Sequence, residues 1–303
     1  MLIRLRDTLR PPSKTAWSTI QLLRPKQWLK NLACLVPMFC SGKLADRHEL
    51  AGALLTALAF SAAASCIYIV NDVVDVDRDR MHPTKCFRPL AAGTLSVGFA
   101  WIAGAGVLAI SGTLAASVSP VVFWIVGIYI ILNAFYSLRL KQIAIVDVML
   151  ISGGFILRFV AGGNGAGVPI SAWLLLCAFF LSLFLSFGKR RAELNGPSPG
   201  GTRKVLSQYS KLMLDRFSNI AATLAIATYA VFTVVSRPDH SLLLTCPPVV
   251  FGIFRYLLLV ETGQEGEAPE LILIKDRPIQ YAIGVWALCY AAVLHGGVRV
   301  NAL

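Results

Sequence analysis

Long stretches of the chain carry no charged side chain. Residues 51–70 form one uncharged run, and residues 89–138 form a second, long enough for two membrane crossings with a turn near Gly112–Pro120. Residues 159–188, 217–236 and 278–298 are three more. A bilayer core needs about 20 predominantly apolar residues per helix, and a helix in a soluble core would still show one polar face, which these runs lack. The pattern predicts an all-α integral membrane protein with about nine transmembrane helices. They are expected near 22–42, 50–71, 93–112, 119–138, 142–163, 170–188, 216–236, 241–260 and 278–297. The first is the least regular, because Arg24, Lys26 and Lys30 enter its start and Pro37 interrupts it.

The polar positions between the runs add orientation. The chain holds 28 Lys and Arg against 16 Asp and Glu, a net charge of +12. A nucleic-acid reader carries such charge as a stripe on a soluble fold. Here it collects in the loops between spans, which argues against nucleic acid as a partner. With the N-terminus in the cytoplasm, Lys43, Arg47, Arg237 and Arg299 lie on the far side, and Arg158 and Arg255 fall inside spans. Every other Lys and Arg is cytoplasmic, as the positive-inside rule requires. The loops 72–92, 137–141, 189–215 and 261–277 then face the cytoplasm, and the expected location is a cell membrane crossed many times.

Composition agrees: 56% of residues are hydrophobic and 15% charged, against roughly 25% charged in soluble domains. The basic stretch at 4–14 lacks the small-residue cleavage pattern of a signal peptide. Seven cysteines are scattered, mostly through apolar runs and without a C-x-x-C pair, and read as small buried residues. A single membrane domain over 1–303 is expected, with a basic cytoplasmic segment at 1–21 and a flexible Gly/Pro stretch at 196–201.

The richest chemistry follows the second span, at Asn71-Asp72-Val73-Val74-Asp75-Val76-Asp77-Arg78-Asp79-Arg80. If that helix continues, Asp72, Asp75 and Asp79 share one face at i, i+3 and i+7, with Asn71 one turn from Asp75 and Asp77 pointing away. Three carboxylates on one face repel unless a cation lies between them. An all-oxygen set without His or Cys suits Mg²⁺, which typically takes one or two carboxylates plus substrate phosphates. A solvated acidic helix end balanced by Arg78 and Arg80 is the plainer explanation. Against it, Lys85 and Arg88 follow in His82-Pro83-Thr84-Lys85-Cys86-Phe87-Arg88-Pro89. Carboxylate, metal and fixed cation together suit a pyrophosphate leaving group. His82 and Cys86 beside three aspartates make a poor zinc set.

N-D-x-x-D-x-x-x-D followed by H-P-T-K-x-x-R-P resembles the first signature of the UbiA superfamily of intramembrane prenyltransferases. The likeness extends through Leu23-Arg24-Pro25-Lys26-Gln27-Trp28-Leu29-Lys30-Asn31 and Tyr136-Ser137-Leu138-Arg139-Leu140-Lys141 with Asp147. It implies nine helices around a central cavity open to the membrane, with Asn71, Asp72, Asp75 and Asp79 binding Mg²⁺-diphosphate.

The chain departs from ordinary members after the sixth span, where they carry a second D-x-x-x-D motif. Here stands Phe187-Gly188-Lys189-Arg190-Arg191-Ala192-Glu193-Leu194, with one carboxylate and three cations. Fixed cations can hold a phosphate directly. G-K-R-x-A-E-L with Tyr209 resembles the branch containing decaprenyl-phosphate phosphoribosyltransferases, as do Phe254-Arg255-Tyr256, Glu267 and Lys275-Asp276-Arg277. That branch implies phosphoribosyl pyrophosphate as donor and a polyprenyl phosphate as acceptor, feeding arabinofuranose donors for cell-envelope glycans. Displacement at the anomeric carbon follows, with oxocarbenium character at the ribose. Asp72, Asp75 and Asp79 would hold the metal, with Asn71 assisting, while Lys85 and Arg88 offset the leaving-group charge. The acceptor phosphate is already anionic and needs no general base.

Lys189, Arg190 and Arg191 are expected to grip the donor 5-phosphate or the acceptor phosphate, with Glu193 and Arg277 nearby. Lys26 and Lys30, one turn apart, either face the same cavity or bind lipid headgroups. Tyr136, Lys141 and Asp147 border the site. Asp147 is an intramembrane carboxylate and so a functional candidate, with Lys141 or Arg139 as alternative salt-bridge partners. Arg158 shares its face three turns on and is read as snorkelling to the outer interface. Trp28, Trp101, Trp124, Trp173 and Trp286 are read as interface anchors or lipid contacts.

Two other activities compete. Prenyl transfer to an aromatic acceptor shares the first motif but should keep the second aspartate motif. A transporter should show broken midplane helices and inverted repeats, whereas these charges sit at the surface. The motifs specify neither acceptor chain length nor oligomeric state, which leaves a homo-oligomer open.

Overall fold

The computed structural model describes residues 14–43, 46–194, 204–262, 272 and 275–296. Glu267 and the Gly/Pro stretch 196–201 lie outside the described residues, as does most of the basic N-terminal segment. Regular structure among the described residues is helical throughout. The elements are α1 (Lys14–Leu23), α2 (Val36–Ser41), α3 (Arg47–Val74), α4 (Val76–Arg80), α5 (Val97–Val118), α6 (Pro120–Leu138), α7 (Val146–Gly165), α8 (Ala172–Glu193), α9 (Lys211–Ser236), α10 (Cys246–Glu261) and α11 (Arg277–Leu294). Short 3-10 segments join them, the longest being Pro25–Leu35.

Local chemistry sets the ends. Asp46 starts α3 by accepting from the backbone N–H groups of His48 and Glu49. Ser119 both closes α5 and caps α6 through the N–H of Val122, with Pro120 in the first turn. Ser96, Ser210 and Asp276 cap α5, α9 and α11 in the same manner.

Seven helices are long and apolar enough to cross a membrane: α3, α5, α6, α7, α8, α9 and the combined stretch Ser241–Glu261. Each matches an expected span, and the remaining two expectations change. The stretch expected at 22–42 is no continuous α-helix: Arg24 is left-handed (φ 53), an 11-residue 3-10 helix follows, and α2 completes it. Such a segment is still long, since 3-10 geometry rises roughly 2 Å per residue. The stretch expected at 278–297 is α11, whose 18 residues span only about 27 Å.

Packing follows chain order, with α3 touching α5, α6, α7 and the Pro25–Leu35 segment, and α8 lying between α7 and α9. One core gathers Phe60, Ala115, Val122, Tyr129 and Ala161; another gathers Val148, Phe184, Leu214, Ile253 and Tyr256. The two meet at α7. α2 and α11 are joined by the Tyr290 hydroxyl donating to the Cys40 carbonyl at 3.0 Å, with the Phe39 ring against Trp286 and Tyr290. Alternation of helix direction brings the ends of α3, α6, α8 and α10 and the starts of α5, α7, α9 and α11 to one side, the site face.

Candidate active site

Two charged clusters occupy the site face. The first is built on the end of α3. The helix does not run on unbroken as the periodicity implies: Asp75 (φ −93, ψ 8) both ends α3 and begins α4. The i→i−4 spacing nevertheless survives, with Asp75 N–H donating to the Asn71 carbonyl at 2.9 Å and Asp79 N–H to Asp75 at 2.8 Å. Asp72 and Asp79 therefore stay on one face, two turns apart, and both are 3% exposed. Their carboxylates converge on one guanidinium. Arg88 Nη1 donates to Asp72 Oδ1 at 3.0 Å and to Asp79 Oδ2 at 2.6 Å. Asp75 and Asn71 are half-buried beside them, and Asp77 points outward to Arg80, as the spacing implies.

Arg24 is the residue that sequence reasoning passed over. It precedes Pro25, where helical backbone is disfavoured, and its left-handed conformation turns the side chain back onto Asp72 Oδ1. The guanidinium also lies over the Tyr68 ring at 4.7 Å. The place of Arg24 in the Leu23–Asn31 motif, two residues before Lys26, is the signal the sequence carries. Lys26 is exposed, and Lys30 donates to Gln27 Oε1 at 2.7 Å, an oxygen that also accepts from Tyr68. Lys85 is half-buried in the 3-10 turn before Arg88.

The second cluster joins α6, α7, α8 and the segment before α9. Asp147 is fully buried and Arg190 is 1% exposed. Arg190 Nε donates to Asp147 Oδ2 at 2.7 Å, and Nη1 donates to Glu193 Oε2 at 2.7 Å. Nη2 reaches the Tyr136 hydroxyl at 3.4 Å. The Tyr209 hydroxyl donates to Asp147 Oδ1 at 2.9 Å and accepts from the Ile145 N–H at 2.5 Å. Burial, and then the Asp147 carboxylate, push the Tyr209 phenol up to about 12, against the backbone N–H that favours its anion.

Arg190, expected to grip a substrate phosphate, has its charge tied by burial to Asp147 and Glu193. Asp147 pairs with Arg190, 43 residues on, and not with Lys141 or Arg139. Arg191 is bound to Asp215 through Nε at 2.7 Å, so it too is engaged. Lys189 and Lys141 are half-buried, and Arg277 is exposed at the start of α11. Arg255, read as intramembrane, pairs with Asp276 at 2.9 Å, and that guanidinium holds the Asp276 carboxyl below its usual range.

One correction lies deeper. Arg158 does not reach an interface; it is 7% exposed. Its Nε donates to Asn31 Oδ1 at 2.7 Å, Nη1 to the Gly154 carbonyl and Nη2 to the Tyr129 hydroxyl, both at 2.9 Å. The Phe60, Tyr129 and Phe155 rings surround it. Trp286 is partly buried, donating to the Tyr229 hydroxyl at 2.7 Å. Trp101 and Trp124 are exposed, as expected of lipid contacts.

Among the described residues no three His, Cys, Asp or Glu side chains gather as a metal site. The donor chemistry at Asp72 and Asp79 nonetheless suits a hard cation: buried carboxylates, a nearby amide at Asn71, and a third carboxylate at the helix break.

Residues 34–272 match the model of the UbiA prenyltransferase family. The chain belongs to the UbiA prenyltransferase family. It is 35% identical to a decaprenyl-phosphate phosphoribosyltransferase of Corynebacterium glutamicum, over 94% of this chain and 89% of that one. It is 33% identical to one of Mycobacterium tuberculosis, over 94% and 97%. This UbiA-family chain is thus a transferase similar to those phosphoribosyltransferases. Its fold resembles a UbiA homolog from Archaeoglobus fulgidus bound to GPP and Mg²⁺ (TM-score 0.69, 21% identity, covering 92% of this chain and 99% of that one). It also resembles a digeranylgeranylglyceryl phosphate synthase (TM-score 0.66, 15% identity, covering 93% and 99%).

Proposed function

We propose that this protein transfers 5-phosphoribose from phosphoribosyl pyrophosphate to a polyprenyl phosphate, releasing pyrophosphate, at the cytoplasmic face of a cell membrane. Relatives of that name along almost the whole chain support the substrate pair. One structural observation carries the reading past the family as a whole. Where the resemblance leads one to expect a second aspartate motif, the end of α8 holds Arg190 locked between Asp147 and Glu193. A preformed, charge-balanced cluster suits a polar, hydroxylated donor better than an isoprenyl chain, since Glu193 keeps a partly exposed carboxylate able to accept from hydroxyl groups.

Asp72, Asp75 and Asp79 are the residues that would hold Mg²⁺, with Asn71 beside them. The bound cation would neutralise pyrophosphate charge as the anomeric bond breaks. Arg88 stands on Asp72 and Asp79 and Arg24 on Asp72, and, released from them, both are placed to donate to phosphate oxygens; Lys85 adds a third cation. The acceptor phosphate attacks as an anion, and the basic residues facing the cytoplasm favour both substrates electrostatically. The lipid-linked product suits a cell-envelope glycan pathway.

A donor competition tests this. Purified enzyme offered phosphoribosyl pyrophosphate and an isoprenyl diphosphate together should release pyrophosphate only from the first, and only with polyprenyl phosphate present. Preference for the isoprenyl donor would return the chain to prenyl transfer.

A further inference from the structure

Apart from the two charged clusters, α8, α9 and the residue before α7 line an apolar groove of about 210 Å³. Phe180 and Phe187 line it from α8, Phe217, Ile220 and Leu224 from α9, and Ile145 closes one end. Periodicity explains the walls: Phe180 and Phe187 are two turns apart, and Phe217, Ile220 and Leu224 follow at i, i+3 and i+7. The groove is open, with Ile220 57% and Ile145 45% exposed.

Its site-face end is different in kind. Ile145 has φ 69, an outlier for a β-branched residue. The Tyr209 hydroxyl holds its N–H, and the same hydroxyl reaches Asp147. The groove thus ends one side chain from the second charged cluster. One turn beyond Phe187 stand Arg190 and Arg191, and one turn before Ile220 on the same face of α9 stands Arg216. Arg216 is exposed and makes no hydrogen bond or ion pair among the described residues. An apolar channel within the spans, with an exposed guanidinium one turn from its α9 wall, complements an amphiphile with one anionic head.

We propose that this groove seats the phosphate-proximal isoprene units of the acceptor lipid, with Arg216 receiving its phosphate before transfer. This rests on the phosphoribosyl-transfer reading. An engineered cavity of roughly 150 Å³ takes one benzene, so the groove suits one or two five-carbon units. Three phenylalanine faces suit trisubstituted alkenes better than saturated chains, which is why the occupant assigned is isoprenoid and not a phospholipid acyl chain.

Photolabelling tests it without turnover. Intact enzyme in nanodiscs is irradiated with a diazirine-bearing polyprenyl phosphate and no donor, and labelled peptides are mapped. Label on the peptides holding Phe187 or Phe217, competed by polyprenyl phosphate but not by phosphatidylglycerol, is expected. Leu224→Trp should fill the groove and lower that label about tenfold, with thermal unfolding checking that the variant is folded. Arg216→Gln should weaken competition by polyprenyl phosphate about tenfold while leaving competition by polyprenol unchanged. Label elsewhere, equal competition by phosphatidylglycerol, or indifference to both variants would overturn the proposal. Specific label in a protein that transfers no pentose would leave the groove standing and remove the phosphoribosyl reading.

Discussion

Arg190 Nε donates to Asp147 Oδ2 at 2.7 Å with both side chains essentially removed from solvent. Such a pair is costly to desolvate, and breaking it leaves an uncompensated charge inside the bundle. Asp147→Ala should therefore destabilise the protein by about 3–5 kcal/mol, while the double replacement Asp147→Leu with Arg190→Leu should cost far less. Thermal unfolding in detergent separates the two cases. Arg190→Ala that weakens substrate binding at unchanged stability would assign Arg190 to substrate.

Tyr209 belongs to the same cluster and gives it a pH signature. Its folded value, about 12, lies above that of an unfolded tyrosine. For a group raised on folding, the stabilisation is complete below the unfolded value, near 10, and is lost as pH rises through the folded one. The stability difference between wild type and Tyr209→Phe should be constant from pH 7 to about 9.5 and shrink above it. A difference that grows with pH would contradict the assigned direction.

The Pro25–Leu35 segment is held so closely that a methyl group should displace it. A Cβ on Gly162 would fall 2.0 Å from the Cys34 carbonyl oxygen, whereas one on Gly153 would meet nothing within 4 Å. Gly162→Ala should cost about 1–3 kcal/mol or more and, by moving the segment that begins at Arg24, raise the donor KM. Gly153→Ala should match wild type in both, measured by unfolding and initial rates.

Asp72 and Asp77 lie five residues apart yet should behave oppositely. Asp72 is buried under Arg24 and Arg88; the Asp77 side chain is 84% exposed. Asp72→Asn should reduce turnover by on the order of 10²-fold or more, with Asp77→Asn within about twofold of wild type, since exposed pairs are worth little. Equal losses would place the metal elsewhere.

How much of this was readable depended on distance along the chain. Asp72 and Asp79 are two helical turns apart, so periodicity alone predicts a shared face, and the break at Asp75 is too slight to undo it. The seven long apolar spans were equally plain. Arg24 was not, because its role depends on a left-handed backbone and a 3-10 segment that no apolar period encodes. Arg190 read as one of three cations for a substrate phosphate, beside Lys189 and Arg191; only the fold brings Asp147, 43 residues earlier, against it. Arg158 was misread because an arginine can satisfy its donors with carbonyls, hydroxyls and amides as well as with water, and sequence shows none of those partners.

The most direct measurement incubates membranes containing this protein with Mg²⁺, labelled phosphoribosyl pyrophosphate and polyprenyl phosphate, and follows label into the lipid phase. The account predicts metal-dependent lipid label that Asp72→Asn abolishes. Absence of label from membranes of folded wild-type protein, or label unaffected by Asp72→Asn, would contradict it.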